Sequence, residues 1–124
     1  MRNMSVAYTT EQIENESKTI TRRNGWWFLK PGDIVMTCKK CMGFKKGEKI
    51  QKIKPIRIIS TRKERLSDIT QDDVVKEGFP DMSVDEFIDM YKKIGHYKYV
   101  NPDSIPVNRI EFCYVKEQGD ERVY

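Results

Sequence analysis

The chain has 124 residues, of which 38% are hydrophobic and 34% charged, and its formal net charge at pH 7 is +4. A chain of this length buries about two thirds of its unfolded surface in one core, and its hydrophobic fraction is too high for a disordered protein. We therefore expect a single domain over residues 1–124.

The sequence has neither a membrane-spanning segment nor a signal peptide that its apolar pattern would reveal. No apolar run approaches the roughly 18 residues of a membrane span, and no apolar stretch of signal-peptide length follows residues 1–5. This predicts a cytoplasmic protein without membrane contact. Three cysteines cannot all pair within one chain, so we expect reduced thiols.

Charge is distributed unevenly along the chain. Residues 1–65 hold 16 Lys and Arg against 6 Asp and Glu, and residues 66–124 hold 7 against 13, so the halves carry +10 and −6. Clustered cations favour a polyanion partner, since they neutralise phosphates and release counterions. The alternative is that the halves fold against each other and their charges cancel in space.

The first half of the chain carries mainly strand signals. We predict a strand over residues 4–8, a helix over 11–16 capped by Thr9 or Thr10, strands over 34–40 and 50–62, and a Lys-rich hairpin over 43–47. The long strand is expected to be irregular near Pro55. After Arg23, Asn24-Gly25 predicts a turn.

Helical signals dominate the second half. Thr70 and Gly78 predict the start and end of a helix over residues 71–77. The capping box of residues 83–86 predicts a second helix to about Gly95, whose apolar face contains Val84, Phe87, Ile88, Tyr91 and Ile94. A closing strand over 107–115 and a frayed tail over 116–124 follow. This order predicts an α+β mixed β-barrel and excludes a doubly wound βαβ sheet.

Several motifs in fixed order resemble one known family. They are Lys18-Thr19-Ile20-Thr21-Arg22-Arg23, Gly25-Trp26, Leu29-Lys30-Pro31-Gly32-Asp33, Met42-Gly43, Lys46-Gly47-Glu48, Leu66-Ser67-Asp68-Ile69-Thr70 with Asp73, Glu77-Gly78-Phe79-Pro80, and Arg109-Ile110-Glu111-Phe112. Together they resemble the ASCH domains over about residues 17–115, and the small stand-alone members of bacteria and phages in particular. The resemblance implies a PUA-like barrel with a cleft, in relatives that handle RNA, modified nucleosides or modified bases.

The resemblance also implies candidate catalytic residues. Bacterial amidohydrolases of this family that deacetylate 4-acetylcytidine use a Lys, a Thr three residues later and a downstream Glu, which correspond to Lys18, Thr21 and Glu77. A desolvated Lys can act as base, a Thr hydroxyl can attack an acyl carbon, and a Glu can protonate the leaving amine. That branch has Ile-Arg after its Thr, whereas this chain has Arg22 and Arg23, which puts the substrate in doubt. The alternative is that these residues cap helices and pair charges.

Further residues are candidates for ligand binding. A guanidinium suits phosphates and base edges, so we expect Arg22 or Arg23 to reach a nucleotide, the alternative being a surface salt bridge with the acidic half. An indole such as that of Trp26 can stack a base, although adjacent aromatics such as Trp26 and Trp27 more often split between core and surface. The segment after Glu77 adds Gly78 and Phe79. A basic patch is expected at Lys45, Lys46 and Lys49.

Metal and cofactor chemistry is not expected. Cys38 and Cys41 form a CxxC that could join Cys113 and His96 around zinc, but residues three apart on a strand point to opposite faces. The single histidine, His96, is expected to be exposed and outside any catalytic triad. No Gly-rich phosphate loop, EF-hand or HExxH motif occurs in the sequence.

These observations leave three functions open. The first is a nucleic-acid or modified-nucleoside binding module, with RNA, single-stranded DNA or a modified nucleoside in the cleft. The second is an amidohydrolase acting on an acylated cytidine nucleoside, or a ribonuclease, that uses the same cleft. The third is a protein-interaction module with a host protein as partner.

Overall fold

The computed structural model describes residues 1–41 and 45–116. Within these ranges the elements are β1 (Arg2–Ser5), α1 (Thr10–Glu14), β2 (Ile20–Arg23), β3 (Ile34–Cys38), β4 (Lys52–Arg65), α2 (Gln71–Lys76), α3 (Val84–Ile94) and β5 (Pro106–Tyr114). Single 3-10 turns at Leu66–Asp68 and Pro102–Ser104 flank the two later helices. Part of the predicted hairpin over 43–47, and the predicted tail after Lys116, lie outside the described residues.

The strands form one mixed sheet in the order β1-β3-β4-β5-β2. β1 runs parallel to β3, and the other neighbours are antiparallel. The sheet curls into a half-barrel whose two edges are β1 and β2. The Arg23 side chain spans these edges, since its Nη2 donates to the carbonyl of Ser5 at 2.7 Å. The predicted α+β mixed barrel is confirmed.

The curl depends on β4, the longest strand. Its pairing with β3 shifts register between Met36 and Cys38, next to the pair formed by Met36 and Pro55. Its pairing with β5 shifts again between Ile58 and Ser60. Bulges bend a strand and increase its twist, so the shifts let one strand of 14 residues serve both halves of the curved sheet.

Buried apolar side chains form two clusters. One lies between the sheet and α1 and contains Met4, Val6, Ile13, Leu29, Val35, Ile56, Ile58, Ile110, Phe112 and Tyr114. The other lies under α2 and α3 and contains Leu66, Ile69, Val74, Phe87, Ile105 and Val107. On the predicted face of α3, Phe87 is buried and Tyr91 is partly buried, whereas Ile94 at the helix end is 40% exposed.

Local signals determine where α2 and α3 start, as predicted, whereas the capping hydrogen bond predicted for the first helix is absent: Thr9 is the N-cap of α1, but its side chain makes no capping bond. The Thr70 hydroxyl accepts from the Asp73 amide at the start of α2, and Ser83 and Glu86 form the reciprocal capping box of α3. α2 ends in a Schellman motif, in which the amides of Gly78 and Phe79 donate to carbonyls of the last turn and Gly78 has a φ of +108°. This motif makes Glu77 the C-cap of α2.

Some strand predictions were wrong. β1 ends at Ser5, so residues 6–8 are a turn and not a strand. No strand was predicted after Lys18, but Ile20–Arg23 is an edge strand. β3 ends at Cys38, not at residue 40, because the chain bends there. No helix in the described part of the chain is long and apolar enough to cross a membrane.

Candidate functional site

A cleft of about 410 Å³ opens where the two edges of the half-barrel approach each other. One wall is built from the turn after β1 and from β2, and it carries most of the polar groups. The other wall comes from α3 and the segment after α2, and it is largely apolar, with Phe79, Met90, Tyr91, Ile94 and Tyr97. Both buried clusters contribute to the lining, through Val6 and Phe87.

Lys18 lies at the floor of this cleft and is 3% exposed. Its Nζ donates to the Glu77 carbonyl at 2.7 Å and to Glu77 Oε1 at 3.1 Å. The carbonyl is one of those left without a partner at the end of α2, so the ammonium caps the helix and meets the negative end of its dipole. The Tyr114 hydroxyl donates to the Lys18 carbonyl at 2.6 Å and fixes the backbone there.

Burial lowers the pKa of the Lys18 ammonium from its ordinary value. Attraction to the Glu77 carboxylate opposes this change, whereas the positive charges of Arg23 and Arg22 add to it. The pKa of Lys18 is therefore lowered, which is the change that a lysine needs to serve as a base near neutral pH.

Arg22 is the centre of a buried ionic network, and its side chain is 1% exposed. Nη1 donates to Glu77 Oε2 at 3.2 Å, while Nη2 donates to Glu64 Oε1 at 2.7 Å and to Asp73 Oδ2 at 2.6 Å. Its Nε is buried without a hydrogen-bond partner among the described residues. Burial disfavours the charge of Arg22, but its hydrogen bond to Asp73 and its attraction to Glu77 outweigh this effect and raise the pKa of Arg22.

The network continues beyond Arg22 onto β4 and β5. Arg109 donates to both carboxylate oxygens of Asp73, at 2.7 and 3.1 Å, and Arg62 donates to Glu64 Oε2 at 2.9 Å. Burial alone would raise the pKa of Asp73, but the bonds from Arg109 and Arg22 lower it from 3.8 to about 2. The contacts join the first helical turn of α2 to three strands.

Thr21 and Arg23 lie two residues apart on β2 and project to the same side, since side chains alternate along a strand. Arg23 Nε donates to Thr21 Oγ1 at 3.1 Å, and Thr21 is 4% exposed. In the described structure Lys18 Nζ donates to Glu77 and not to Thr21. A guanidinium donor on the threonine oxygen would favour negative charge there.

The structure brings most of the predicted site residues together. Lys18, Thr21, Arg22, Arg23, Glu77 and Phe79 all line the cleft. Gly78 is not among the lining residues, but it ends the helix that delivers Glu77 and Phe79. Trp26 packs against the sheet core and is not part of the lining, whereas Trp27 is 49% exposed, so the two aromatics split between core and surface as expected.

The charge asymmetry of the sequence is partly resolved inside the fold. Arg22 pairs with Asp73 and Glu77, acids of the second half, in a buried contact and not at the surface. The predicted basic patch is different: its three lysines are exposed, and none forms an ion pair within residues 1–41 and 45–116. These are Lys45, Lys46 and Lys49. They stay a predicted binding surface.

The expectation of reduced thiols was wrong for two of the three cysteines. Cys38 and Cys41 form a disulfide, with their Cα atoms 6.5 Å apart, because the bend after β3 turns both side chains to the same side. Cys113 is free and exposed, and His96 is exposed. Among the described residues, no group of three or more His, Cys, Asp or Glu side chains is placed to hold a metal ion.

Sequence reasoning did not identify several residues of the site. Asp73 stood only within a family motif, and Glu64 was not singled out. Tyr91 was assigned to the apolar face of α3, yet it lines the cleft, and burial raises its pKa to about 12. Arg109 stood only within a family motif. No local signal in the sequence indicates that these side chains meet.

Comparison by sequence finds no matching family model and no matching curated protein. Comparison by structure finds similar solved folds. The Lactobacillus crispatus JV V101 ASCH domain has a TM-score of 0.61 at 14% identity, over 90% of this chain and 75% of its own. Protein EF3133 from Enterococcus faecalis V583, of family DUF984, has a TM-score of 0.64 at 14% identity, over 87% and 67%.

A third similar structure is the hypothetical protein PH0355, with a TM-score of 0.58 at 17% identity, over 92% of this chain and 96% of its own. At these identities the likeness concerns the fold. The mixed half-barrel with three short helices, together with these superpositions, shows that the chain has the α+β PUA-like fold of the ASCH domains.

Proposed function

We propose that this protein binds nucleic acid or a modified nucleoside, and that the base enters the cleft between β2 and α3. The observation that carries the proposal is the composition of that cleft: a largely apolar wall with aromatic side chains faces a floor of buried, charged hydrogen-bonding groups. The volume of about 410 Å³ lies in the range of small-molecule sites.

The two walls match the two kinds of surface on a nucleoside. A base offers a flat face, which stacks on aromatic rings, and a polar edge, which needs fixed donors and acceptors. Phe79 and Tyr91 stand on the apolar side, and Lys18, Thr21 and Glu77 stand on the polar side. Because Glu77 is held by both Lys18 and Arg22, the polar groups are in place before a ligand arrives.

The test is titration of the protein with the four ribonucleosides and with 4-acetylcytidine, followed by calorimetry and NMR. We expect amide shifts on β2 and α3, and a dissociation constant that rises about tenfold in Phe79→Leu, because loss of a stacked ring costs roughly 1–3 kcal/mol. The matched control is Phe28→Leu, which removes a half-exposed aromatic outside the cleft. Shifts confined to other surfaces would refute the proposal.

A second candidate function is favoured by the state of Lys18. An amidohydrolase acting on an acylated cytidine would use Thr21 as nucleophile, Lys18 as its base and Glu77 for the leaving amine. Burial lowers the pKa of Lys18, which this mechanism needs, because an exposed lysine stays protonated far above neutral pH. Because Lys18 Nζ is paired with Glu77, its proton would first pass to Glu77; the neutral amine would then take the Thr21 proton as Oγ1 attacks the acyl carbon, Glu77 would protonate the leaving amine as the C–N bond breaks, and water would hydrolyse the acyl-threonine to release acetate. Release of acetate from 4-acetylcytidine by the wild-type protein is the assay that separates turnover from binding.

A further inference from the structure

The cations that line the cleft differ in what neutralises them. Lys18 contacts the Glu77 carboxylate, and Arg22 contacts three carboxylates. Arg23 also lines the cleft, yet no carboxylate in the described part of the chain forms an ion pair with it. The Glu77 carboxylate attracts Arg23 from beyond ion-pair distance, so Arg23 is the cleft cation without a direct carboxylate contact among the described residues.

The hydrogen bonds of Arg23 fix the guanidinium without neutralising it. A guanidinium has five N–H donors, and here one bonds Thr21 Oγ1 and one bonds the Ser5 carbonyl. Both acceptors are uncharged, and three donors are left without a partner among the described residues. The side chain is partly buried, and this burial lowers its pKa, although an arginine stays charged throughout the physiological range.

Burying a cation that has no ion-pair partner costs desolvation free energy, and binding of an anion offsets that cost. Rigid, two-donor guanidinium geometry fits the oxygens of a phosphate better than those of most other anions. Arg23 is held by Ser5 on one sheet edge and Thr21 on the other, so its remaining donors are pre-positioned at the seam where the cleft opens.

Resting on the proposed function, we propose that Arg23 forms a phosphate subsite at the mouth of the cleft, so that the preferred ligand is a nucleotide and not a free nucleoside. The phosphate, a monoester of a mononucleotide or a diester within an oligonucleotide, lies against the guanidinium, while the base lies between the aromatic wall and Lys18. Arg22 takes no part in ligand contact, because the three carboxylates already neutralise it.

The test compares each ribonucleoside with its 5′- and 3′-monophosphates and with a dinucleoside monophosphate, at constant ionic strength. For wild-type protein we expect at least one phosphorylated form to bind ten times or more tighter than the nucleoside. In Arg23→Gln this ratio should fall to about one, and taking the ratio within each variant removes any change in nucleoside affinity. Arg23→Lys, which keeps the charge but loses the fork, should give an intermediate ratio. The control, Lys30→Gln, removes an exposed charge outside the cleft and should keep the wild-type ratio.

The outcomes separate this inference from the function on which it rests. If the nucleoside binds and none of the phosphorylated forms binds tighter, the phosphate subsite is wrong and the proposed function stands. If neither form binds, both are wrong. If Arg23→Gln loses nucleoside affinity to the same extent as nucleotide affinity, Arg23 only joins the sheet edges, and the subsite is refuted. A preference for the monoester over the diester identifies a mononucleotide site, and the reverse identifies an oligonucleotide site.

Discussion

Replacing Asp73 by Asn is expected to lower the stability of the fold in a pH-dependent way. Asp73 is 7% exposed and bonds Arg22 and Arg109, which lower its pKa from 3.8 to about 2. That difference corresponds to about 2.5 kcal/mol of folding free energy at neutral pH. The asparagine has nearly the same shape without the charge, so Asp73→Asn should lower the free energy of unfolding by roughly this amount at pH 7.

The sign follows from the lowered pKa. A carboxyl group with a lower pKa in the folded state stabilises the fold above its ordinary pKa, and this stabilisation disappears as the pH falls towards the folded value. The difference between wild type and Asp73→Asn should therefore be constant above about pH 5, roughly halve by pH 3 and vanish below about pH 2. Urea unfolding followed by the fluorescence of Trp26 and Trp27 measures it.

The neighbouring acid provides the control for this experiment. Asp72 lies in the same helical turn but is exposed, and it forms no ion pair within the described residues. Asp72→Asn should change stability by only a few tenths of a kcal/mol. A difference for Asp73→Asn that stays the same from pH 7 to pH 3 would refute the reasoning, since it would show that the carboxylate is not stabilised by its arginines.

Three further predictions concern the basic patch, the cleft and the end of α2. Single-stranded RNA or DNA should bind less tightly as salt rises, with a slope of log K against log salt that flattens by about 0.7 per neutralised lysine in variants of Lys45, Lys46 and Lys49; a flat response in wild type would contradict this. If 4-acetylcytidine is turned over, Thr21→Val should abolish acetate release while the protein stays folded, and full activity would exclude Thr21 as nucleophile. Gly78→Ala should destabilise the fold more than Gly32→Ala: both have positive φ, but a Cβ at Gly78 meets Gln12 Cγ at 3.0 Å, whereas nothing lies within 4 Å at Gly32. If urea unfolding shows the same loss of stability for both variants, the contact of the added Cβ with Gln12 does not contribute to the cost of Gly78→Ala.

Local sequence signals predicted the helices well, because helix ends depend on neighbouring residues. Thr70, Ser83 and Gly78 act within three or four positions of themselves, and each has the predicted cap. The α+β barrel could also be predicted, since it follows from element order and from the motifs that resemble the ASCH domains. Lys18 and Glu77, 59 positions apart, could be brought together only through that resemblance.

The strand β2 could not be predicted from local pattern. It has four residues, and its burial does not alternate: Ile20, Thr21 and Arg22 are all buried. It forms because it pairs with β5, almost 90 residues later, and because Arg22 finds carboxylates on β4 and α2. Such long-range pairing is invisible in a window of neighbouring residues. The role of Asp73 could not be predicted for the same reason, because its partners Arg22 and Arg109 lie 51 and 36 positions away in the sequence.

The network around Arg22 also bears on the charge of Lys18. A buried ion pair seldom adds net stability compared with an apolar replacement, because desolvation of the charges offsets their attraction. Its effect here is positional and electrostatic. Arg22 shares the Glu77 carboxylate with Lys18 and adds a positive charge beside it. The ammonium form of Lys18 is therefore stabilised less than it would be by a carboxylate that bonds Lys18 alone. Burial then prevails and lowers the pKa of Lys18. Arg22 thus favours the neutral form of Lys18, which the proposed base chemistry would require.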